Sequence, residues 1–181
     1  MTKLMQRPRC SVFIATSLDG FIARSDGTFD FLSIVEQPNE DYGFAEFFAS
    51  VDALVIGRHT YETALGFPEW PYAGKRCFVL THRETPSVHG EQFFAGAASG
   101  LVEQLALGGA QRLYVDGGQV IREFLTADLI DDMTLSIVPM LIGSGISLFG
   151  AEVPQRRLKL ASSRSFPSGL VQLHYERHPE G

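Results

Sequence analysis

Two segments of this chain share one pattern, and that pattern limits the folds open to it. "ALVIG" runs straight into "RHTYETAL", and "LYVDGG" runs straight into "QVIREFL". In each, a short apolar strand empties into glycine and a helical periodicity begins at once. Val120, Ile121, Phe124 and Leu125 mark the face of the second helix. The alternation continues along the chain. Cys10–Thr16 reads as a buried strand, "LDG" as a turn and Phe21–Arg24 as a short extended piece. Phe44, Phe47, Phe48 and Val51 fall on one face of a helix predicted to start near Asp41. Ala53–Ile56 is a strand, and His59–Leu65 is a helix with Tyr61, Ala64 and Leu65 inward. "RCFVLTH" and "EQFFA" are strands, Leu101, Val102 and Leu105 mark a helix, and "DMTLSIVP" is a further strand. Strands that alternate with helices pair mainly in parallel. "LKLASSRSF" and "LVQLHYER" alternate polar and apolar residues around "PSG", which predicts a closing antiparallel hairpin. "SDGTFDFLSIVEQPNED" and "MLIGSGISLFG" read as loops. The expected fold is a single α/β domain over residues 1–181. It is a three-layer sandwich on a mixed, mainly parallel sheet that ends in an antiparallel hairpin.

A chain of 181 residues is long enough for one domain with a sizeable core. No apolar run approaches the ~20 residues of a membrane span. The start "MTKLMQRPRC" is basic, but the apolar run after it stops at Asp19 and reads as a first strand, not a leader. Cys10 and Cys77 lie in strands without metal-ligand spacing, which points to buried thiols in a reducing cytoplasm. A net charge of −6 argues against a broad nucleic-acid surface. The five histidines form no metal pattern, and His174 and His178 share no helix face. "SGIS" lacks the flanks of GxSxG, and neither GxGxxG after the first strand nor a Walker A pattern is present. Metalloenzyme and serine-hydrolase readings are therefore unsupported, and no metal is expected.

In parallel α/β sheets, ligands bind at the carboxyl ends of the strands. Both strand–glycine–helix junctions lie there, at Gly57-Arg58-His59-Thr60 and at Asp116-Gly117-Gly118-Gln119-Val120. A third strand end supplies Thr81, His82 and Arg83. Two helix starts with free N–H groups and several basic side chains on one edge suit a ligand with two or three phosphates. Taken singly, each glycine only permits a turn and each arginine is a surface charge; three junctions on one edge favour the ligand. Asp19-Gly20 serves equally as a tight turn or as a loop shaped beside the ligand. Asp41 at a helix start is open to two readings, a cap or a catalytic acid.

Taken in order, "SLDGFIA", "VIGRHTYE", "FVLTHR", "YVDGGQVIREFL" and "LSIVPMLIGSGISLF" resemble the dihydrofolate reductase superfamily. The similarity is to the bacterial branch related to the C-terminal reductase domain of the riboflavin-biosynthesis protein RibD, and it spans about residues 8 to 177. The resemblance implies a dihydrofolate-reductase-like sheet that binds NADPH, with hydride passing from C4 of the nicotinamide to a small nitrogen heterocycle. That heterocycle would be a pyrimidine such as 5-amino-6-(5-phosphoribosylamino)uracil, or a pterin. It implies that Arg58, His59 and Thr60 form a phosphate-binding helix start. Thr81, His82 and Arg83 would meet the 2′-phosphate of the adenosine. Gly117, Gly118, Gln119 and Val120 would pack against the pyrophosphate and nicotinamide side, and Ala15 and Ile22 would flank the nicotinamide. Asp41 falls at the spacing of the folate enzymes' pterin-binding carboxylate, so Asp41 or a bound water is the expected proton donor. The branch also suggests a homodimer. There are departures. Asp116-Gly117 stands where folate enzymes hold a cis Gly-Gly, "FDFLSI" replaces their Pro-Trp loop, and RibD's zinc-bearing deaminase domain has no counterpart. The rival expectation is a non-catalytic NADP(H)-binding protein without a substrate site.

Overall fold

In the computed structural model, residues 6–83 and 85–179 are described; Met1–Met5 of the basic start, Glu84 and the last two residues lie outside them. Among the described residues, ten strands and four α-helices follow one another. They are β1 (Arg9–Ser17), β2 (Phe21–Ala23), α1 (Phe44–Ala49), β3 (Ala53–Gly57), α2 (Arg58–Leu65), β4 (Arg76–Leu80) and β5 (Gln92–Phe94). Then come α3 (Ala98–Leu107), β6 (Arg112–Asp116), α4 (Gly118–Thr126), β7 (Ile130–Val138), β8 (Ile146–Ser147), β9 (Leu158–Ser165) and β10 (Val171–Arg177). Eight strands form one sheet in the order β5-β4-β3-β6-β1-β7-β10-β9. From β5 to β7 every pairing is parallel, and β10 and β9 close the sheet antiparallel. This is the mixed, mainly parallel sheet that the alternation predicts.

Side-chain alternation builds the three layers. On β3, Ala53 and Val55 face one way, toward Leu101, Val102 and Leu105 of α3 and Ile121 and Phe124 of α4. Leu54 and Ile56 face the other way, toward Phe47 of α1 and Tyr61 and Ala64 of α2. All four β3 residues are fully buried. Burying such a side chain contributes roughly 1.5–3 kcal/mol, so the central strand is fixed from both faces.

Four details depart from expectation. Helix α1 begins at Phe44 rather than near Asp41, because Tyr42 and Gly43 take positive φ. Leu65 is 38% exposed instead of inward, while Tyr61 and Ala64 are buried as predicted. The expected loop 25–41 contains a 3-10 helix, Asp30–Val35, whose Phe31 and Val35 pack with Val138, Phe166 and Leu170. The glycine loop after β7 contains β8, which pairs with β2 in a separate two-stranded sheet. No described helix is long and apolar enough to cross a membrane. Cys10 and Cys77 are buried free thiols, and burial pushes both up to about 12.

Candidate active site

The carboxyl edge of the sheet is shaped by where β3 and β6 end. Ile56 pairs with Asp116 at the ends of β3 and β6, and α2 and α4 leave from just beyond this point on opposite faces. Neither helix start has a side-chain cap. The first N–H groups of both are therefore open to whatever fills the space beside them. Gly117 makes the close approach possible. Its φ is +99°, and a Cβ there would stand 2.3 Å from Thr60 Oγ1. The peptide bonds of the described residues, Asp116-Gly117 included, are all trans.

A groove of about 610 Å³ runs along this edge. Ala15, Ile22, Gly57, His59, Thr60, Asp116, Gly117, Gly118, Gln119 and Val120, all singled out from the sequence, line it. Gly27, Phe29, Leu32, Thr63, Arg122 and Ile146 line it as well. Sequence reasoning missed these six as well as Ile14 and Ala23, although Thr63 lies three residues from Thr60 on the same helix face. Arg122 Nη1 donates to the Ser147 carbonyl at 2.7 Å and ties α4 to β8.

Arg58, Thr81, His82 and Arg83 are on the same edge but outside the groove lining. Gly57 pairs with Leu80, so the end of β4 lies beside the start of α2. Arg58 is ion-paired with Glu62 at 3.5 Å. The Arg83 N–H donates to Thr81 Oγ1 at 3.1 Å, and His82 and Arg83 are exposed. These four form an open shelf at one end of the groove.

At the other end lies a second cavity of about 360 Å³, bounded by Phe13, Val35, Tyr42, Phe44, Ser136 and Leu170, with Glu36, Glu40 and Asp41 also in its lining. Ile14, Ala15 and Leu32 line both spaces. Phe13 and Phe44 meet edge to face with centroids 5.6 Å apart.

The two carboxyls of interest have opposite environments. Asp41 is exposed; its Oδ2 accepts the Ala45 N–H and its Oδ1 the Gly43 N–H, both at 2.9 Å. Those amides hold it below the usual carboxylate range. This is the capping geometry, and a carboxyl so held stays ionised at neutral pH. Asp116 lines the groove. Burial lifts its carboxyl above the ordinary value, against the hydrogen bonds from the Tyr72 hydroxyl and the Gly117 N–H. Asp19 lines neither space. It accepts from the Ser17 hydroxyl and from the N–H of Ile142 and Gly143, fastening the glycine loop to the end of β1. No metal-binding cluster occurs among the described residues.

The residues present fit a phosphate-bearing dinucleotide. Two uncapped helix starts and Thr60 and Thr63 of α2 line one groove, and a basic shelf lies at its end. Comparison with known proteins agrees on the fold. The chain is 33% identical to the Bacillus subtilis protein YwjB, itself uncharacterised, over 92% of this chain and 96% of that one. A solved structure from Shewanella sp. PV-4, described only provisionally as a riboflavin biosynthesis protein, is 38% identical with a TM-score of 0.88. The match covers 94% of this chain and 99% of that chain. A bifunctional deaminase and 5-amino-6-(5-phosphoribosylamino)uracil reductase from Thermotoga maritima shares the fold at 16% identity and a TM-score of 0.71. The match covers 95% of this chain and 57% of that one. Residues 8–172 match the RibD C-terminal domain, and the chain belongs to that reductase-related family.

Proposed function

We propose that this chain is an NADPH-dependent reductase of a small nitrogen heterocycle. The single observation that carries the reading is the shared wall of Ile14, Ala15 and Leu32, which brings the cofactor-sized groove and the smaller aromatic cavity together. Bound NADPH would supply a hydride. The chain's own part is to hold, orient and dry the reactants. The N–H groups at the starts of α2 and α4 would hold the pyrophosphate. Arg58, Thr81, His82 and Arg83 would hold the 2′-phosphate, and Ala15 and Ile22 would flank the nicotinamide. The cavity beside them would hold the heterocycle against Phe13 and Phe44. The capping bonds remove Asp41 as the proton source in this proposal and leave a bound water. Asp116, which accepts from the Tyr72 hydroxyl and the Gly117 N–H, would hold the glycine turn in place beside the cofactor.

The two buried thiols accord with the cytoplasm as the compartment. The homodimer remains part of the proposal. The outermost strand β9 is exposed along all eight residues and leaves a sheet edge open. Light scattering would show a mass of one chain if that part is wrong.

The test is NADPH oxidation with a panel of pyrimidines and pterins. Sustained turnover with any member is expected. Tight NADPH binding without turnover across the panel would instead favour the non-catalytic NADP(H)-binding protein.

A further inference from the structure

The charges around the 360 Å³ cavity narrow the substrate. Among the described residues, those that line it include no lysine, arginine or histidine; its charged members are Glu36, Glu40 and Asp41. Several described arginines have their partners outside this lining. Arg7, Arg9 and Arg112 pair with Asp131 and Asp132 at the opposite edge of the sheet. Arg58 pairs with Glu62, Arg24 with Asp30, and Arg122 donates to Ser147. The Arg164 guanidinium lies 4.5 Å over the Phe166 ring.

Backbone donors are spent too. A phosphate ester is a dianion that proteins hold with arginine, lysine or free N–H groups. At the start of α1 such groups exist, but the Gly43 and Ala45 N–H groups go to Asp41, and the Tyr42 N–H goes to Glu40 Oε1 at 2.7 Å. The carboxylates thus consume the donors an incoming phosphate would need, and they repel its charge. The inner wall suits a flat ring instead. Phe13 and Phe44 are aromatic, and Val35 and Leu170 are apolar. Ser136 Oγ accepts from Gln172 Nε2 at 3.0 Å. Its O–H is left to donate to a ring nitrogen or carbonyl.

Resting on the reductase reading, we infer that the substrate is an uncharged or cationic planar heterocycle without a phosphate. Glu36, Glu40 and Asp41 reject the phosphorylated pyrimidine named for the Thermotoga maritima protein. A ring that carries a proton gains from the same three carboxylates.

The experiment uses the full chain in two steps. NADPH binding is measured first; its absence overturns the reductase reading and this inference with it. Dissociation constants for the NADP⁺-loaded protein follow at low salt. The probes are 5-amino-6-(5-phosphoribosylamino)uracil, its dephosphorylated counterpart and the cationic probe 2,4-diaminopyrimidine. The dephosphorylated compound is expected to bind at least about tenfold more tightly than the phosphorylated one, with the gap shrinking as salt screens the carboxylates. Glu36→Lys should close most of the gap, and the salt series on the unmodified chain gives the same information if that variant does not fold. With NADPH bound, two results overturn the inference alone. One is equal or tighter binding of the phosphorylated compound. The other is binding of none of the three probes.

Discussion

The two edges of the central sheet are built from similar residues and do opposite things with them. At the amino edge the carboxylates of Asp131, Asp132 and Asp52 are matched, and Arg177 Nε is the one buried side-chain polar atom there, among the described residues, without a hydrogen-bond partner. Asp132, 2% exposed, accepts from the Ser11 hydroxyl and Arg9 and pairs with Arg112 at 3.3 Å. Asp131 takes both terminal nitrogens of Arg7 at 2.7 Å and the Cys10 N–H at 2.8 Å. Asp52 caps the approach to β6 by accepting from the Gln111 and Arg112 N–H groups, both at 2.7 Å. At the carboxyl edge, α2 and α4 leave their first N–H groups without side-chain caps, and glycines stand where side chains would fill the space. Satisfied polar groups stabilise a fold and bind nothing; unsatisfied donors at a helix start suit an anion. The chain concentrates its ion pairs at one end and its uncapped helix starts at the other.

The largest effect should come from breaking the paired edge. Asp132→Ala leaves Arg9 and Arg112 facing each other without their anion. Losing one partner of a fully buried pair costs roughly 3–5 kcal/mol. Both arginines reach solvent here, so about 2–4 kcal/mol is expected in urea unfolding, with NADPH affinity of the folded fraction unchanged. A variant as stable as the parent would show that the network contributes little.

Gly117→Ala should come next and act on the open edge. The substitution meets Thr60 Oγ1 and an unfavourable φ together, which costs about 1–3 kcal/mol. Unlike the Asp132 variant, it should also abolish measurable NADPH binding. Paired loss of stability and binding separates the two edges; full NADPH affinity in Gly117→Ala would merge them.

The shelf gives a smaller and more selective effect. NADPH differs from NADH by one phosphate, which a guanidinium holds by charge-assisted bonds worth roughly 1.5–3 kcal/mol each. Arg83→Ala or Arg58→Ala should weaken NADPH about tenfold and leave NADH nearly unmoved. A ratio of the two dissociation constants that is near one in the parent, or indifferent to both substitutions, contradicts the shelf assignment.

The edges were legible in the sequence to different depths. Gly57, Thr60, Gly117 and Val120 were found because strand, glycine and helix follow one another without a gap, so sequence order is spatial order. Asp132 was not, because its partners lie on β1 and β6, more than a hundred residues and about twenty residues away. The 3-10 helix Asp30–Val35 escaped because it is a single short element among turn residues, and the partners of Phe31 and Val35 come from β7 and the final hairpin. β8 is two residues long and exists only through β2. Asp41 was found but left open between cap and acid. Spacing places a carboxyl near a helix start; the choice depends on which amides its oxygens reach.

Acid sensitivity should be modest and assignable. Burial works against the ionised Glu91, but bonds from the Tyr61 hydroxyl and the Val88 and His89 N–H groups outweigh it and lower its pKa from 4.5 to about 2. A depressed carboxylate adds stability that is present above the unfolded value. That contribution is lost as pH falls from about 4.5 toward 2. Tyr61→Phe should flatten this part of the stability–pH curve, and an unchanged curve would exclude Glu91 as its source. The smallest effect is expected of Asp41→Asn. Asparagine caps almost as well, so turnover should persist, whereas its abolition would restore Asp41 as the proton donor.

Amide hydrogen exchange with and without NADPH tests the central contrast most directly. The N–H groups of Arg58, His59, Thr60, Gly118, Gln119 and Val120 should gain protection when NADPH is added. Those of Cys10, Gln111 and Arg112, already given to Asp131 and Asp52, should not change. Protection that misses the two helix starts, or that is equally strong at the amino edge, would contradict the account.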